Sequence, residues 1–296
     1  LRGRDRRAKD RWMANSPAVR VRGLTKRYGD KVAVDAIDLD IPSGQVFALL
    51  GPNGAGKTTT VEILEGYRDR DGGEVSVLGE DPQRAGRRWR YGIGIVLQEA
   101  SDLSELTVLE TVRHFARYYP DPRNPAEVIA DVGLTEQARS RVRALSGGQR
   151  RRLDVAVGIV GNPRLLFLDE PTTGFDPQAR RQFWELIRSV VQERGTTVLL
   201  TTHYLEEAEA LADRIAILVR GKIVADSTPA SLGGRAEAKA VVSWSDNGEE
   251  RSLESDDPGA VIADLTARYG GTVPGLKVTR PSLEDVYLKL IGSEGP

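Results

Sequence analysis

Gly51-Pro52-Asn53-Gly54-Ala55-Gly56-Lys57-Thr58 follows the apolar run Gln45–Leu50 and opens a helical pattern over Lys57–Tyr67. The spacing fits G-x-x-x-x-G-K-[ST] between a strand and a helix. Glycines in these places let the chain turn tightly, so several backbone N–H groups converge on one anion. The helix beginning at Lys57 aims its positive end at the same point. Lys57 supplies a mobile charge for the outer phosphates, and the Thr58 hydroxyl can ligate Mg²⁺. Arginine heavily outnumbers lysine in this chain, yet this position is lysine, whose compact head suits a phosphate cradle. The pattern predicts a nucleoside triphosphate site built from Gly51 to Thr58 and the adjoining Thr59.

Outward from this loop, short β-branched runs alternate with helical patterns. Val19–Val21, Val32–Ile41, Gln45–Leu50, Glu74–Leu78 and Tyr91–Leu97 read as strands. The stretch from Thr107 to about Ile159 is mostly helical, Pro177–Glu193 has helical spacing, and Thr197–Thr201 is again a strand. Strand, helical crossover and strand in that order indicate a parallel sheet. Ile215–Val219 and Lys222–Val224, joined around Arg220-Gly221, read as a closing hairpin. The apolar strand Arg164–Leu168 ends in Asp169-Glu170. Ligands of parallel sheets sit beyond the carboxyl ends of strands, so both acids are placed to face the phosphates. Asp169 would hold Mg²⁺ directly or through water, and Glu170 would orient or deprotonate an attacking water.

Leu145-Ser146-Gly147-Gly148-Gln149 discriminates further. Ser146 followed by Gln149 has the form of a capping box for a helix over Gly147–Val160. Its two glycines expose N–H groups at the helix's positive end, making a second anion site. With these segments the chain resembles the nucleotide-binding subunit of ATP-binding cassette (ABC) transporters, over about Ala18 to Ser227.

That resemblance implies two subunits packed head to tail, each ATP lying between the phosphate loop of one and Leu145–Gln149 of the other. It implies that Gln98 touches Mg²⁺ and the water and opens the loop facing the membrane partner. Asp169 and Glu170 take the places of the magnesium-site acid and the catalytic base. His203 matches the histidine that contacts the γ-phosphate, and Tyr28, placed near the end of a short edge strand, matches the aromatic that stacks on adenine. Lys57, Gln98, Glu170 and His203 form the expected catalytic set, and Thr58, Gln98 and Asp169 the Mg²⁺ set. Gly174-Phe175-Asp176-Pro177 resembles the inter-subunit loop, with Phe175 where leucine is usual. The other histidine, His114, reads as a helix-surface residue, and Arg150, Arg151 and Arg152 as a solvated or phosphate-adjacent face. The stretches Thr202–Glu209 and Pro281–Leu288 resemble bacterial drug- and antibiotic-export ATPases that work with a separately encoded permease.

Composition bounds these expectations. With 42 Lys+Arg against 43 Asp+Glu the net charge is −1, which argues against non-specific nucleic-acid binding. No cysteine is present and only two histidines, which excludes disulfides, thiolate chemistry and multi-histidine metal sites. No apolar run approaches the roughly 20 residues that span a bilayer, so whatever the chain does at a membrane it does from the aqueous side; the resemblance implies a peripheral place on the cytoplasmic face.

The expected architecture is α/β: a P-loop ATPase core with a parallel sheet, an N-terminal antiparallel β part, an inserted helical subdomain and a small α+β C-terminal domain. Boundaries fall at residues 1–16 for a disordered basic arm, 17–230 for the nucleotide-binding domain with its helical part at about 99–162, and 231–296 for the accessory domain. Met13, the only methionine, directly follows the basic stretch and is a candidate start. The expected function is ATP binding and hydrolysis driving membrane export, with a second copy or a homologous subunit and a permease as partners. A soluble cassette ATPase acting on ribosomes or DNA is the alternative; such relatives typically carry two cassettes or long insertions. A GTPase lacks its Asn-Lys-x-Asp segment here, and a small-molecule kinase would not need Leu145–Gln149.

Overall fold

A computed structural model describes residues 17–96, 104–246 and 248–292. The basic arm, Gln98 and the start of the segment after it therefore lie outside the described residues. The chain divides into two compact units, one ending at Asp226 and one beginning at Ser227.

In the first unit, β1 (Val19–Tyr28) lies between β2 (Lys31–Ile41) and β4 (Gly72–Val77) in an antiparallel sheet. Tyr28 thus ends a ten-residue central strand, a correction to the short edge strand expected. The strand is hidden in the sequence because register shifts break its alternation between Val21 and Arg27. Its polar positions also carry charges that pair across to neighbours, Arg22 with Asp40 and Lys26 with Asp71.

The second sheet has β3 (Val46–Leu50), β5 (Ile93–Val96), β6 (Leu165–Asp169), β7 (Thr197–Thr201), β8 (Arg214–Val219) and β9 (Lys222–Ser227), in the order β5-β6-β7-β3-β8-β9. Every pair from β5 to β8 is parallel. All five residues of β3 are buried, as expected of a strand covered on both faces. Phe47, Leu49, Leu165, Phe167 and Leu199 face α1 (Lys57–Leu64) and the antiparallel sheet. Val46, Leu166, Leu168, Val198 and Leu200 face the opposite core with α3 (Val108–Ala116), α4 (Pro125–Asp131), α5 (Gly147–Ile159) and α6 (Pro177–Arg194). The short helices α2 (Arg87–Arg90) and α7 (Leu205–Leu211) complete the unit.

α1 stops short of the Tyr67 expected from the sequence. Gly66 sits at φ +71°, and a Cβ there would meet Pro82 O at 2.9 Å, so the backbone turns where only glycine fits. The expected hairpin is present: Arg220 and Gly221 both have positive φ, as a tight two-residue turn between twisted strands requires.

The second unit is a three-stranded antiparallel sheet in the order β11 (Glu249–Ser255), β10 (Ala240–Asp246), β12 (Lys277–Thr279). With α8 (Pro258–Tyr269) it buries Val242, Leu265 and Val273; α9 (Leu283–Gly292) closes the described chain. Among the described residues no helix is long and apolar enough to cross a membrane.

Candidate nucleotide site

Three parallel strands deliver the chemistry at their carboxyl ends. β3 runs into the Gly51–Lys57 loop, β6 ends at Asp169 with Glu170 next, and β7 is followed by His203. The loop is shaped by close backbone approaches. A Cβ at Gly51 would fall 2.2 Å from Leu218 O, and one at Gly56, with φ +108°, would fall 2.3 Å from Ala33 O. Neither position accepts a larger residue without moving main chain. Ala55 is pinned by its carbonyl, which accepts from Gly221 N–H at 2.9 Å.

A cavity of about 240 Å³ opens over this loop. Asn53, Gly54, Gly56, Lys57, Thr58 and Thr59 form one side, and Tyr28, Asp169 and Glu170 stand on the others. Lys57 is nearly buried, and its Nζ donates to Gly51 O at 2.7 Å and Pro52 O at 3.2 Å. Burial lowers its pKa while the Glu170 and Asp169 carboxylates pull it back up, so the ammonium is held where an anion would stabilise it. Tyr28 is 42% exposed, with Lys26 and Arg68 over its ring at 5.6 and 5.3 Å.

Thr201 ties the two acids to β7. Its hydroxyl donates to Asp169 Oδ1, and its carbonyl accepts from Glu170 N–H at 3.0 Å. Glu170 has φ +42°, a left-handed backbone that a residue with a side chain rarely adopts. Its Oε1 lies 3.3 Å from His203 Nδ1. His203 also packs on Tyr204, with ring centroids 4.1 Å apart, and Tyr204 in turn holds Arg180 over its ring at 4.4 Å.

Ser146 forms the capping box read from the sequence. Its Oγ accepts from Gln149 N–H at 3.3 Å, and Gln149 Oε1 accepts from Ser146 N–H at 3.0 Å. The hydroxyl proton of Ser146 is not used by the cap, and Gly147 is open, with nothing within 4 Å of a Cβ placed there. Ser146, Gly147 and Gly148 line a different cavity, of about 840 Å³, together with Gly174, Phe175 and Asp176. Glu170 lines both cavities. The structure therefore unites the loop, Tyr28, Asp169, Glu170 and His203 around one end of the sheet, and sets Ser146–Gly148 on a second opening beyond Glu170. Phe175 turns inward, edge-on to Phe183 at 5.9 Å.

Comparison with known proteins decides the family. The ABC transporter family model matches residues 34–173. The daunorubicin resistance ATP-binding protein DrrA2 of Streptomyces coeruleorubidus is 40% identical over 307 residues, spanning 93% of this chain and 95% of the relative. The chain belongs to the ABC transporter family. It is an ATPase subunit of that family, as the phosphate loop and Leu145–Gln149 led the sequence to suggest. Nod factor export ATP-binding protein I of Ralstonia nicotianae is 37% identical over 318 residues, spanning 95% of this chain and 96% of its own length. The solved dimeric structure of a bacterial ABC transporter cassette matches with a TM-score of 0.64 at 25% identity, covering 71% of this chain and 98% of that one.

Two residues escaped sequence reasoning. Arg151, expected on a solvated or phosphate-adjacent face, is 7% exposed and bonded to main-chain carbonyls. Glu207 is fully buried and accepts from Trp184 Nε1 at 3.2 Å. Burial pushes its carboxyl pKa up, while Thr202, Thr172 and Trp184 hold it partly down. Its place in the Glu207, Ala208, Leu211 stripe was the available signal: an acid on the apolar face of a helix.

Proposed function

We propose that this chain is the ATP-hydrolysing motor of an exporter whose membrane-spanning permease is a separate polypeptide. ATP is held between the Gly51–Thr58 loop of one copy and Ser146–Gln149 of a second copy or a close relative. One observation carries this: Ser146 and its helix start open onto a cavity other than the one over the loop, with Glu170 as the wall between. An anion site so placed serves a phosphate brought by another molecule. The dimeric cassette structure and the exporter names of the relatives support the same account.

In the closed dimer, Lys57 and the start of α1 hold the β- and γ-phosphates, and Tyr28 stacks on the adenine. Thr58, Asp169 and Gln98 would hold Mg²⁺. Two or three protein oxygens suit a cation that prefers phosphate and water ligands, and this ion supplies charge neutralisation at the phosphates. Glu170 takes a proton from a water whose oxygen attacks the γ-phosphorus, and ADP leaves with the electrons of the broken P–O bond. Lys57, His203 and the Ser146 helix start stabilise charge on the transferred phosphoryl group, which accounts for most catalysis in such reactions. Separating the halves withdraws one of these partners. Closing and opening pass to the permease through the face that follows Gln98 and includes α3, placing the subunit at the cytoplasmic side of the membrane.

The test is Glu170→Gln, which keeps the shape and removes the base. ATP is expected to bind and accumulate a closed dimer by sedimentation while turnover stops. Unchanged turnover, or a chain that stays monomeric with ATP, contradicts the proposal.

A further inference from the structure

Arg151 lies one helical turn beyond the Ser146 cap and points back into the fold. Its Nε donates to Pro171 O at 2.8 Å and its Nη2 to Asp169 O at 2.9 Å. Its Nη1 stands 3.8 Å from Asp154 Oδ2, one turn further along α5. The two accepting carbonyls belong to the residues immediately before and after Glu170. Glu170 holds a left-handed backbone, a conformation that persists only where surrounding contacts over-determine it. One guanidinium therefore fixes both flanks of the strained residue, and Thr201 O fixes its N–H. A planar fork with several donors can serve two carbonyls at once, which a lysine ammonium on a flexible stem does poorly.

We propose that Arg151 is a positioning residue that couples the two ATP sites of the dimer. The proposal rests on the shared-site reading given above. In that dimer Ser146 serves the nucleotide on the partner's loop, whereas Glu170 of the same chain serves the nucleotide on its own loop. The thirteen-residue helix α5 carries Ser146 at its cap and Arg151 in its body, so it moves as one piece. A phosphate that engages Ser146 sets the helix, and Arg151 transmits that setting to the backbone of Glu170. Filling one site thus aligns the base of the other.

The experiment compares the full chain with Arg151→Gln and Arg151→Lys, measuring ATP affinity, kcat, the Hill coefficient for ATP and closed-dimer accumulation. The parent is expected to show a Hill coefficient above 1, with two sites setting the ceiling. In Arg151→Gln, ATP affinity stays within about threefold and kcat falls at least about tenfold, because a base displaced by a fraction of an ångström loses its alignment. The Hill coefficient drops to 1, and the closed dimer persists longer because hydrolysis is slow. Arg151→Lys falls between the parent and Arg151→Gln. A kcat within about twofold of the parent, on the scale of transition-state losses, overturns the proposal. So does a lost kcat with an unchanged Hill coefficient. Loss of ATP-driven dimers in both variants also overturns it, since that marks a role in folding α5 alone. Glu170→Gln run alongside separates the two levels: if it too fails to trap a dimer, the shared-site reading fails rather than the part assigned to Arg151.

Discussion

His203 Nδ1 and Glu170 Oε1 stand 3.3 Å apart across the ends of β7 and β6. Both strands also share Thr201, which bonds Asp169 and the Glu170 main chain, so the histidine and the carboxylate are set on one rigid edge. A group that only stabilises developing charge should affect turnover more than binding. His203→Ala is expected to lower kcat by about 100-fold, typical of losing one preorganised partner, with ATP affinity changed only a few-fold. Equal losses in binding and turnover, measured by nucleotide titration and steady-state kinetics, would contradict the role given to His203.

Ser146 has two jobs that substitution can separate. As a helix cap its side-chain oxygen accepts from Gln149 N–H, and removing a cap costs about 0.5–2 kcal/mol. Ser146→Ala should therefore melt lower than the parent. Ser146→Asp retains an acceptor and adds a negative charge that the helix start favours, so its melting should match or exceed the parent's. The same charge repels phosphate, and ATP-driven dimers should be lost. A Ser146→Asp protein that dimerises normally with ATP would show that no phosphate approaches this helix.

Glu65, just past α1, has its carboxyl pKa pushed up to about 8, first by burial and then by the neighbouring Asp169 and Glu62. In the unfolded chain it titrates at about 4.3. Between these values the folded protein keeps a proton that the unfolded chain has released. The stability from this group is complete below the unfolded pKa and is lost as pH rises towards about 8. Glu65→Gln removes the titration. Urea midpoints of variant and parent should diverge in favour of glutamine from pH 5 to 8.5, and parallel curves would refute the assignment.

Much of the site was legible because its chemistry is local. The loop from Gly51 to Lys57, the cap at Ser146 and the acids ending β6 each occupy one short segment whose spacing states its geometry. What escaped depends on partners distant in sequence. Arg151 is buried only because carbonyls 18 and 20 residues later come to meet it, and nothing in Arg150-Arg151-Arg152 distinguishes the middle residue. β11 gave no strand signal because nearly all its side chains are exposed, leaving no apolar alternation to betray a strand. The mostly helical stretch from Thr107 to Ile159 resolves into α3, α4 and α5. Its breaks fall where proline and glycine stood in the sequence, at Pro120–Pro125 and Gly133.

The chain contains no cysteine, which opens the most direct test of a phosphate held by two polypeptides. Asn53 and Gly147 are both exposed, and a side chain at Gly147 meets nothing within 4 Å. Asn53→Cys and Gly147→Cys are placed in separate copies of the Glu170→Gln protein, mixed, and oxidised with and without ATP and Mg²⁺. A disulfide-linked dimer is expected only when both variants and nucleotide are present. No cross-link with ATP, or one formed equally without it, would contradict the shared site.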